Sequence, residues 1–205
     1  MRLSPCLIAA AVLFIPVTGL AQVIPAPGWG LGVLLESVRF SRGLVDAAAP
    51  SEDIAAGLRP AAGTSIALTL GRGGPAWRGE LVAGWAGMRP QADNASVAVL
   101  DRTTRLTRWR LGAAVTRRLL GIGAGSLNLG AGPALDWWRV IGEDRVRFGG
   151  AALAALRLPL GTWAVENRLG VGVSGSPFVP EDAGETYETR TLVSVTLGIV
   201  VRAPL

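Results

Sequence analysis

The sequence contains no lysine and no histidine, and all 20 of its basic residues are arginine. The absence of imidazole excludes a Ser-His-Asp triad and any metal site built from histidine ligands. The single cysteine, Cys6, lies near the start, so the rest of the chain cannot form an internal disulfide. Beyond the first 21 residues, no apolar run reaches the length of a membrane-spanning helix, although 50% of the residues are hydrophobic. The apolar residues are therefore plentiful but dispersed.

The first residues have the pattern of a secretory signal peptide. The positive charge of Arg2 precedes an apolar run over 7–17, and small residues stand at Gly19 and Ala21. We therefore predict a cleaved signal peptide over 1–21 and one folded domain over 22–205. Without Arg2, 19 arginines face 15 acids. These arginines are scattered singly rather than clustered, so we expect no nucleic-acid partner.

Eight later segments alternate apolar and polar residues with the period of two that is typical of β-strands. The last is the clearest, since Val193, Val195 and Leu197 alternate with Ser194 and Thr196. The predicted strands are 29–42, 63–71, 76–88, 103–117, 126–138, 146–158, 163–174 and 189–205. In the first strand the apolar set changes face at Val38 and Phe40, which indicates a bulge or the exit of the strand from a membrane.

The connections between these strands alternate in length. Short turns are predicted at 72–75, 118–125 and 159–162, long loops at 43–62, 89–102 and 175–188, and an intermediate loop at 139–145. In an antiparallel up-and-down arrangement, all short turns fall on one side and the longer connections on the other. We therefore predict an all-β fold, an eight-stranded antiparallel barrel in which the last strand closes against the first.

Aromatic residues are expected to form two girdles on the outside of this barrel, at the two membrane–water boundaries. Trp109 does not fit, because the pattern places it outward but nearer mid-depth. The predicted girdle residues are Trp29, Trp77 and Trp163 at one end, and Trp85, Trp137, Phe148 and Tyr187 at the other.

The polar faces of the strands would then line a narrow lumen. We expect arginine–carboxylate pairs to fill it, with Asp136 and Arg147 as diagonal neighbours. An ion or solute path through these charges is the alternative. The predicted lumen charges are Glu36, Arg78, Glu80, Arg108, Arg110, Asp136, Arg147, Arg157, Glu166, Arg168 and Arg190.

The same strands could instead form a soluble lipocalin-like periplasmic barrel, but that fold keeps its apolar side chains inside. The inward charges favour lipid on the outside. The leader, the eight segments and the loop alternation together resemble the small outer-membrane β-barrels, the group that contains the OmpA transmembrane domain, OmpX and the opacity-type proteins. Relatives of that group usually end in an aromatic residue, whereas this chain ends in Leu205.

The resemblance implies a bacterial outer-membrane location. It also implies contact with outer-membrane lipid and lipopolysaccharide, and recognition by the barrel-assembly machinery during biogenesis. We expect no catalytic residue, metal or cofactor, and a structural, adhesive or surface-interaction role carried by the loops 43–62, 89–102 and 175–188. A narrow ion or small-solute pore is the alternative function, and the sequence does not identify a surface ligand.

Overall fold

The computed structural model describes residues 28–41, 43–48, 57–93, 98–101, 103–182 and 186–205. The predicted signal peptide, 1–21, lies outside these residues. Within the described ranges no helix is both long and apolar enough to cross a membrane. The strands are β1 Gly28–Ser41, β2 Leu44–Asp46, β3 Gly57–Pro60, β4 Gly63–Gly73, β5 Trp77–Met88, β6 Pro90–Asp93, β7 Ala98–Leu100, β8 Leu106–Ile122, β9 Gly125–Val140, β10 Glu143–Leu160, β11 Trp163–Ser174, β12 Tyr187–Thr189 and β13 Leu192–Pro204.

Eight long strands form a closed antiparallel barrel in the order β1, β13, β11, β10, β9, β8, β5 and β4. Closure comes from β1, which pairs with β13 on one side and with β4 on the other. Each other strand pairs with its neighbours along the barrel, as in an up-and-down meander. The predicted fold class, including the contact between first and last strands, is confirmed.

The two ends of the barrel differ in their connections. At one end, which we call the turn end, the chain reverses at 74–76, 123–124 and 161–162. At the opposite, loop end, the predicted long loops contribute strands to a second sheet in the order β12, β2, β3, β6 and β7. The segments predicted as loops are therefore partly ordered as a five-stranded sheet. This sheet lies beyond the barrel strands that lead into it.

The prediction of an intermediate loop over 139–145 is wrong. Strands β9 and β10 continue to a two-residue turn at Ile141 and Gly142, whose φ angles are 50° and 86°. Positive φ at both central residues is the geometry of a type I′ hairpin turn, whose twist matches that of the flanking strands. The turn predicted over 118–125 is also shorter, because β8 runs to Ile122 through a register irregularity between Arg118 and Leu120.

Side chains alternate between the two sides of the barrel wall, except at the register irregularity in β8. The outer side is an apolar belt in which Leu68, Leu81 and Leu111 are each more than half exposed. The inner side carries buried charges, including Glu80 and Asp136. This orientation is the opposite of the one that a lipocalin-like barrel requires.

The structure corrects two aromatic assignments. Trp109 lies directly across from Trp85 and from Trp137 on the neighbouring strands, so it belongs to the loop-end row rather than to mid-depth. Tyr187 belongs to β12 in the second sheet and packs against a buried cluster, so it is not a girdle residue. The other predicted girdle residues are exposed on the outer side: Trp29, Trp77 and Trp163 at the turn end, and Trp85, Trp137 and Phe148 at the loop end.

The apparent change of face in β1 is neither a bulge nor an exit. The register of β1 with β13 and β4 is unbroken, and Val38 and Phe40 point inward with the other even-numbered residues of the strand. Both are buried in an apolar cluster inside the loop end of the barrel. The lumen therefore contains a hydrophobic core as well as charges.

Candidate functional site

Two glutamates and two arginines form an ion-pair network in the lower half of the lumen, towards the turn end. Arg168 donates to both oxygens of Glu80, at 2.6 and 2.7 Å, and from Nη2 to Glu166 Oε2 at 2.7 Å. Arg202 donates to Glu80 Oε2 at 2.5 Å and to Glu166 Oε1 at 3.1 Å. We call these four residues the lower network. Each is less than one-tenth exposed, so charge-assisted hydrogen bonds offset the cost of their desolvation.

A small apolar group lies between part of the lower network and a second group of charges. Leu34 of β1 lies across from Val200 of β13 and from Ala67 of β4, and all three are buried. Val82 of β5 packs against them. This apolar group lies one inward residue above Arg202 on the β13 side, and beside it a cavity of about 90 Å³ is lined by Leu34, Val82, Arg110 and Arg168.

The upper network is centred on Asp136, which is 1% exposed. Arg108 binds it through two hydrogen bonds, at 3.0 and 2.8 Å, and Arg110 Nε lies 3.7 Å from its Oδ1. The Arg108 guanidinium also lies over the rings of Phe40 and Trp138, at 5.4 and 5.3 Å from their centroids. The Arg108 side chain is thus held by a carboxylate and by two aromatic faces.

Above the upper network, the loop end of the lumen is closed by an apolar cluster. Trp138 is fully buried and meets Phe40 edge-on at a ring-centroid distance of 5.8 Å. Leu44 of β2 and Phe178 of the connection after β11 also belong to the cluster, and both are buried. Side chains from the second sheet and from a loop therefore cover the lumen from outside the barrel.

The segment 175–182, which we call the plug loop, carries Phe178 into the barrel mouth. Arg145 of β10 donates to the Pro177 carbonyl at 2.8 Å and makes two hydrogen bonds with the Asp182 carboxylate. Arg147 Nε donates to the Ser176 carbonyl at 2.6 Å. Two arginines of one strand thus hold the plug loop, through two backbone carbonyls before Phe178 and through the Asp182 side chain after it.

The Asp182 carboxylate is held in its charged form. Burial would raise the pKa of Asp182, but the hydrogen bonds from Arg145 and from the Val179 backbone N–H outweigh it, and the pKa is lowered from its ordinary value. This clamp is an ion pair at neutral pH.

The structure places nine of the eleven predicted lumen charges in two groups. Glu80, Glu166 and Arg168 lie in the lower network, with Arg78 and Arg157 beside it. The upper network holds Arg108, Arg110 and Asp136, and Glu36 lies at its level, across from Ser65.

Arg147 and Arg190 lie elsewhere. Arg147 is directly across from Asp136 in the strand register, yet it binds the plug loop, because Asp136 is already engaged by Arg108. Arg190 lies in the connection between β12 and β13, where its Nη2 is 3.7 Å from Glu188, and not in the lumen.

Sequence reasoning missed two residues of the lumen. Arg202 stands on the polar face of the last strand, and the same alternation that placed Arg168 inward could have identified it. Trp138 follows the outward Trp137 and takes the inward position next to Asp136. Strict alternation would have placed Trp138 in the lumen, but an aromatic side chain was not expected among the lumen charges.

A cavity of about 500 Å³ opens at the turn end, below the lower network. Arg78, Arg118 and Arg157 line it together with the four residues of that network. No group of three or more Cys, Asp or Glu side chains within the described ranges is arranged to hold a metal ion. The chemistry of the lumen is therefore that of guanidinium and carboxylate groups.

The fold matches solved structures at low sequence identity. Neisserial surface protein A is 16% identical, over 88% of this chain and 99% of that chain, with a TM-score of 0.54. OprG, an outer-membrane protein of Pseudomonas aeruginosa, is 11% identical, over 90% of this chain and 99% of that chain, with a TM-score of 0.53. No protein-family model and no curated protein matches the chain. The closed barrel of eight antiparallel strands gives this chain the fold of the small eight-stranded outer-membrane β-barrels.

Proposed function

We propose that this chain spans a bacterial outer membrane and serves there as a non-enzymatic surface protein. Its five-stranded sheet at the loop end would be the part that meets other molecules. The observation that carries this proposal is the asymmetry of the two ends. The turn end has connections of two or three residues, whereas the loop end builds a separate sheet from three connections.

The outer belt supports the membrane location. Leu35 and Ile66 lie beside Trp85, Trp109 and Trp137 in one continuous row across five strands at the loop end. At the turn end, Arg72 and Arg117 lie over the rings of Trp29 and Trp77, at 5.5 and 5.4 Å from the ring centroids. Amphipathic pairs of this kind suit the boundary between hydrocarbon and water.

The sheet is joined firmly to the barrel, which favours a role in recognition. Leu44 of β2 is buried in the apolar cluster, and Leu58 of β3 and Tyr187 of β12 pack against it. The Arg59 side chain donates to the Phe40 carbonyl at 2.7 Å. A surface ordered before it meets a partner loses less conformational entropy on binding than flexible loops do.

Tag insertion on intact cells tests this proposal. An epitope tag inserted within 49–56, between β2 and β3, should be reached by antibody on intact cells and should reduce adhesion of the cells to their target surface. The matched control carries the same tag between Gly123 and Ala124 at the turn end, and should become accessible only after permeabilisation. Both variants must keep the heat-modifiable gel mobility of a folded barrel. Surface labelling of the control tag, or full adhesion by the loop-end variant, would contradict the proposal.

A narrow pore is the rival function, and packing of the lumen argues against it. Trp138, Val140 and Val200 point inward and are fully buried, and the lower network is nearly so. We expect the folded protein to show no ion conductance in a planar bilayer, either as it is or with Glu36→Gln or Arg108→Ala. Reproducible single-channel steps that change with either substitution would establish the pore instead.

A further inference from the structure

The cavity at the turn end has more positive than negative side chains. Five arginines and two glutamates line it, so the side chains leave an excess of three positive charges. The arginines are Arg78, Arg118, Arg157, Arg168 and Arg202. A net positive charge in a recess walled by protein and lipid is poorly solvated, and it favours occupancy by an anion.

The two carboxylates are already saturated by the lower network. All four oxygens of Glu80 and Glu166 accept hydrogen bonds from Arg168 or Arg202. Arg78 Nη1 and Arg157 Nε each lie 3.9 Å from Glu166 Oε1, which is an ion contact but not a hydrogen bond. Glu166 therefore attracts Arg78 and Arg157 without satisfying their N–H groups.

Donors around the cavity are left unused. Arg118 makes no ion pair with another residue in the part of the chain that the structure describes. Within the same ranges, Arg78 Nε and Arg202 Nη1 are buried and have no hydrogen-bond partner, and Arg202 as a whole is 2% exposed. Buried donors without an acceptor are rare, and each calls for an explanation such as an ion that occupies the site.

The local backbone keeps the Arg78 guanidinium in place. A Cβ atom at Gly71 would lie 2.6 Å from Arg78 Nε, so only glycine leaves room for this side chain against the wall. Arg78 Nη1 and Arg157 Nε approach the same carboxylate oxygen at 3.9 Å, so they cannot be further apart than twice that distance. Two planar forks within this limit of each other can both reach oxygens of one phosphate group.

We propose that the turn-end cavity binds a small phosphate-bearing anion, held by Arg78, Arg118 and Arg157. The proposal goes beyond the role of the loop-end sheet and does not depend on it, because the two sites lie at opposite ends of the barrel. The phosphate group is either that of a free anion or that of an anionic lipid headgroup reaching around the rim.

A titration of inorganic phosphate tests the proposal. The folded full chain in zwitterionic micelles is titrated at constant ionic strength, with chloride replaced by phosphate, and binding is followed by ³¹P NMR line broadening. We expect saturable binding. Arg118→Gln and Arg157→Gln should each weaken it about tenfold or more, the effect of losing one charged hydrogen bond.

Arg117→Gln is the matched control, because Arg117 neighbours Arg118 in the chain but points outward over the Trp77 ring. It should leave phosphate binding unchanged. Among the residues that the structure describes, Arg118 has no ion pair to lose, so its variant should fold, and heat-modifiable mobility verifies this. Broadening that does not saturate, or a loss with Arg117→Gln equal to that with Arg118→Gln, would overturn the proposal.

A second arm distinguishes the two sources of phosphate. The titration is repeated in nanodiscs with and without phosphatidylglycerol. Competition by the lipid would assign the site to a headgroup, and its absence would assign the site to a free anion. If chloride displaces phosphate from the cavity as effectively as phosphate itself binds, the site does not recognise a phosphate group, which would count against either source.

Discussion

Replacement of Glu80 by glutamine removes one negative charge from the centre of the lower network. The carboxylate accepts hydrogen bonds from Arg168 at 2.6 and 2.7 Å and from Arg202 at 2.5 Å, and the residue is 4% exposed. The variant leaves two buried guanidinium groups sharing only Glu166. Removal of one partner from a buried ion pair typically costs about 3–5 kcal/mol of unfolding free energy. Because glutamine keeps one acceptor oxygen, we expect about 3 kcal/mol.

Equilibrium unfolding in urea from lipid vesicles, followed by tryptophan fluorescence, measures this loss. Glu188→Gln is the control, since the Glu188 side chain is 61% exposed and lies 3.7 Å from Arg190. An exposed pair contributes less than about 1 kcal/mol, so the control should unfold almost as the parent does. Asp136→Asn tests the upper network in the same way. A cost for Glu80→Gln no greater than that of the control would refute the view that the lower network stabilises the barrel.

Three further predictions concern the turn, the belt and the plug loop. Ile141→Asn should raise the unfolding free energy by about 1 kcal/mol, because isoleucine is strained at a φ of 50° whereas Asn-Gly suits a type I′ turn; a less stable variant would contradict this. Leu68→Arg, on the outer belt, should lower the unfolding free energy of the protein in lipid by about 2–4 kcal/mol. An equal loss for the protein in water-soluble polymer without a bilayer would show that lipid is not the cause. For the plug loop, the lowered pKa of Asp182 means that its pairing with Arg145 is complete above the ordinary value of 3.8 and is lost only as pH falls through the lower folded-state pKa. Protease protection of 175–182 should persist at pH 5 and fall at any pH in Asp182→Asn; release of the parent loop between pH 5 and 7 would be inconsistent with the clamp.

The alternation of residues predicted the strands well because it is a local property. A strand exposes successive side chains to opposite sides whatever it pairs with, so 163–174 was assigned to its observed bounds. The same alternation also places Arg202 on the inner side of the barrel wall. The prediction failed where the apolar character of a residue, rather than its position in the alternation, was used to assign it to the inner or outer side of the wall. Val38 and Phe40 are apolar, yet they face the lumen.

The loops and turns were predicted less well, because their structure depends on contacts between segments far apart. The length of 43–62 indicated a long connection, but β2 pairs with β12, more than 140 residues later in the chain. Conversely, 139–145 lacks an Asn-Gly pair, and Ile141 adopts a positive φ that its side chain disfavours. No local signal indicated either outcome.

The sequence by itself determined the number of barrel strands, their alternating faces and the difference between the two ends, since each depends on residues within one segment or one connection. Only the tertiary structure decided which charges meet. Arg168 and Glu80 are 88 residues apart, and Arg202 and Glu80 are 122 apart. Whether they touch depends on how far neighbouring strands are offset as the barrel closes, because this offset sets the height of every inward side chain. The same closure brings Arg78, Arg118 and Arg157 around one cavity, where their excess charge selects an anion.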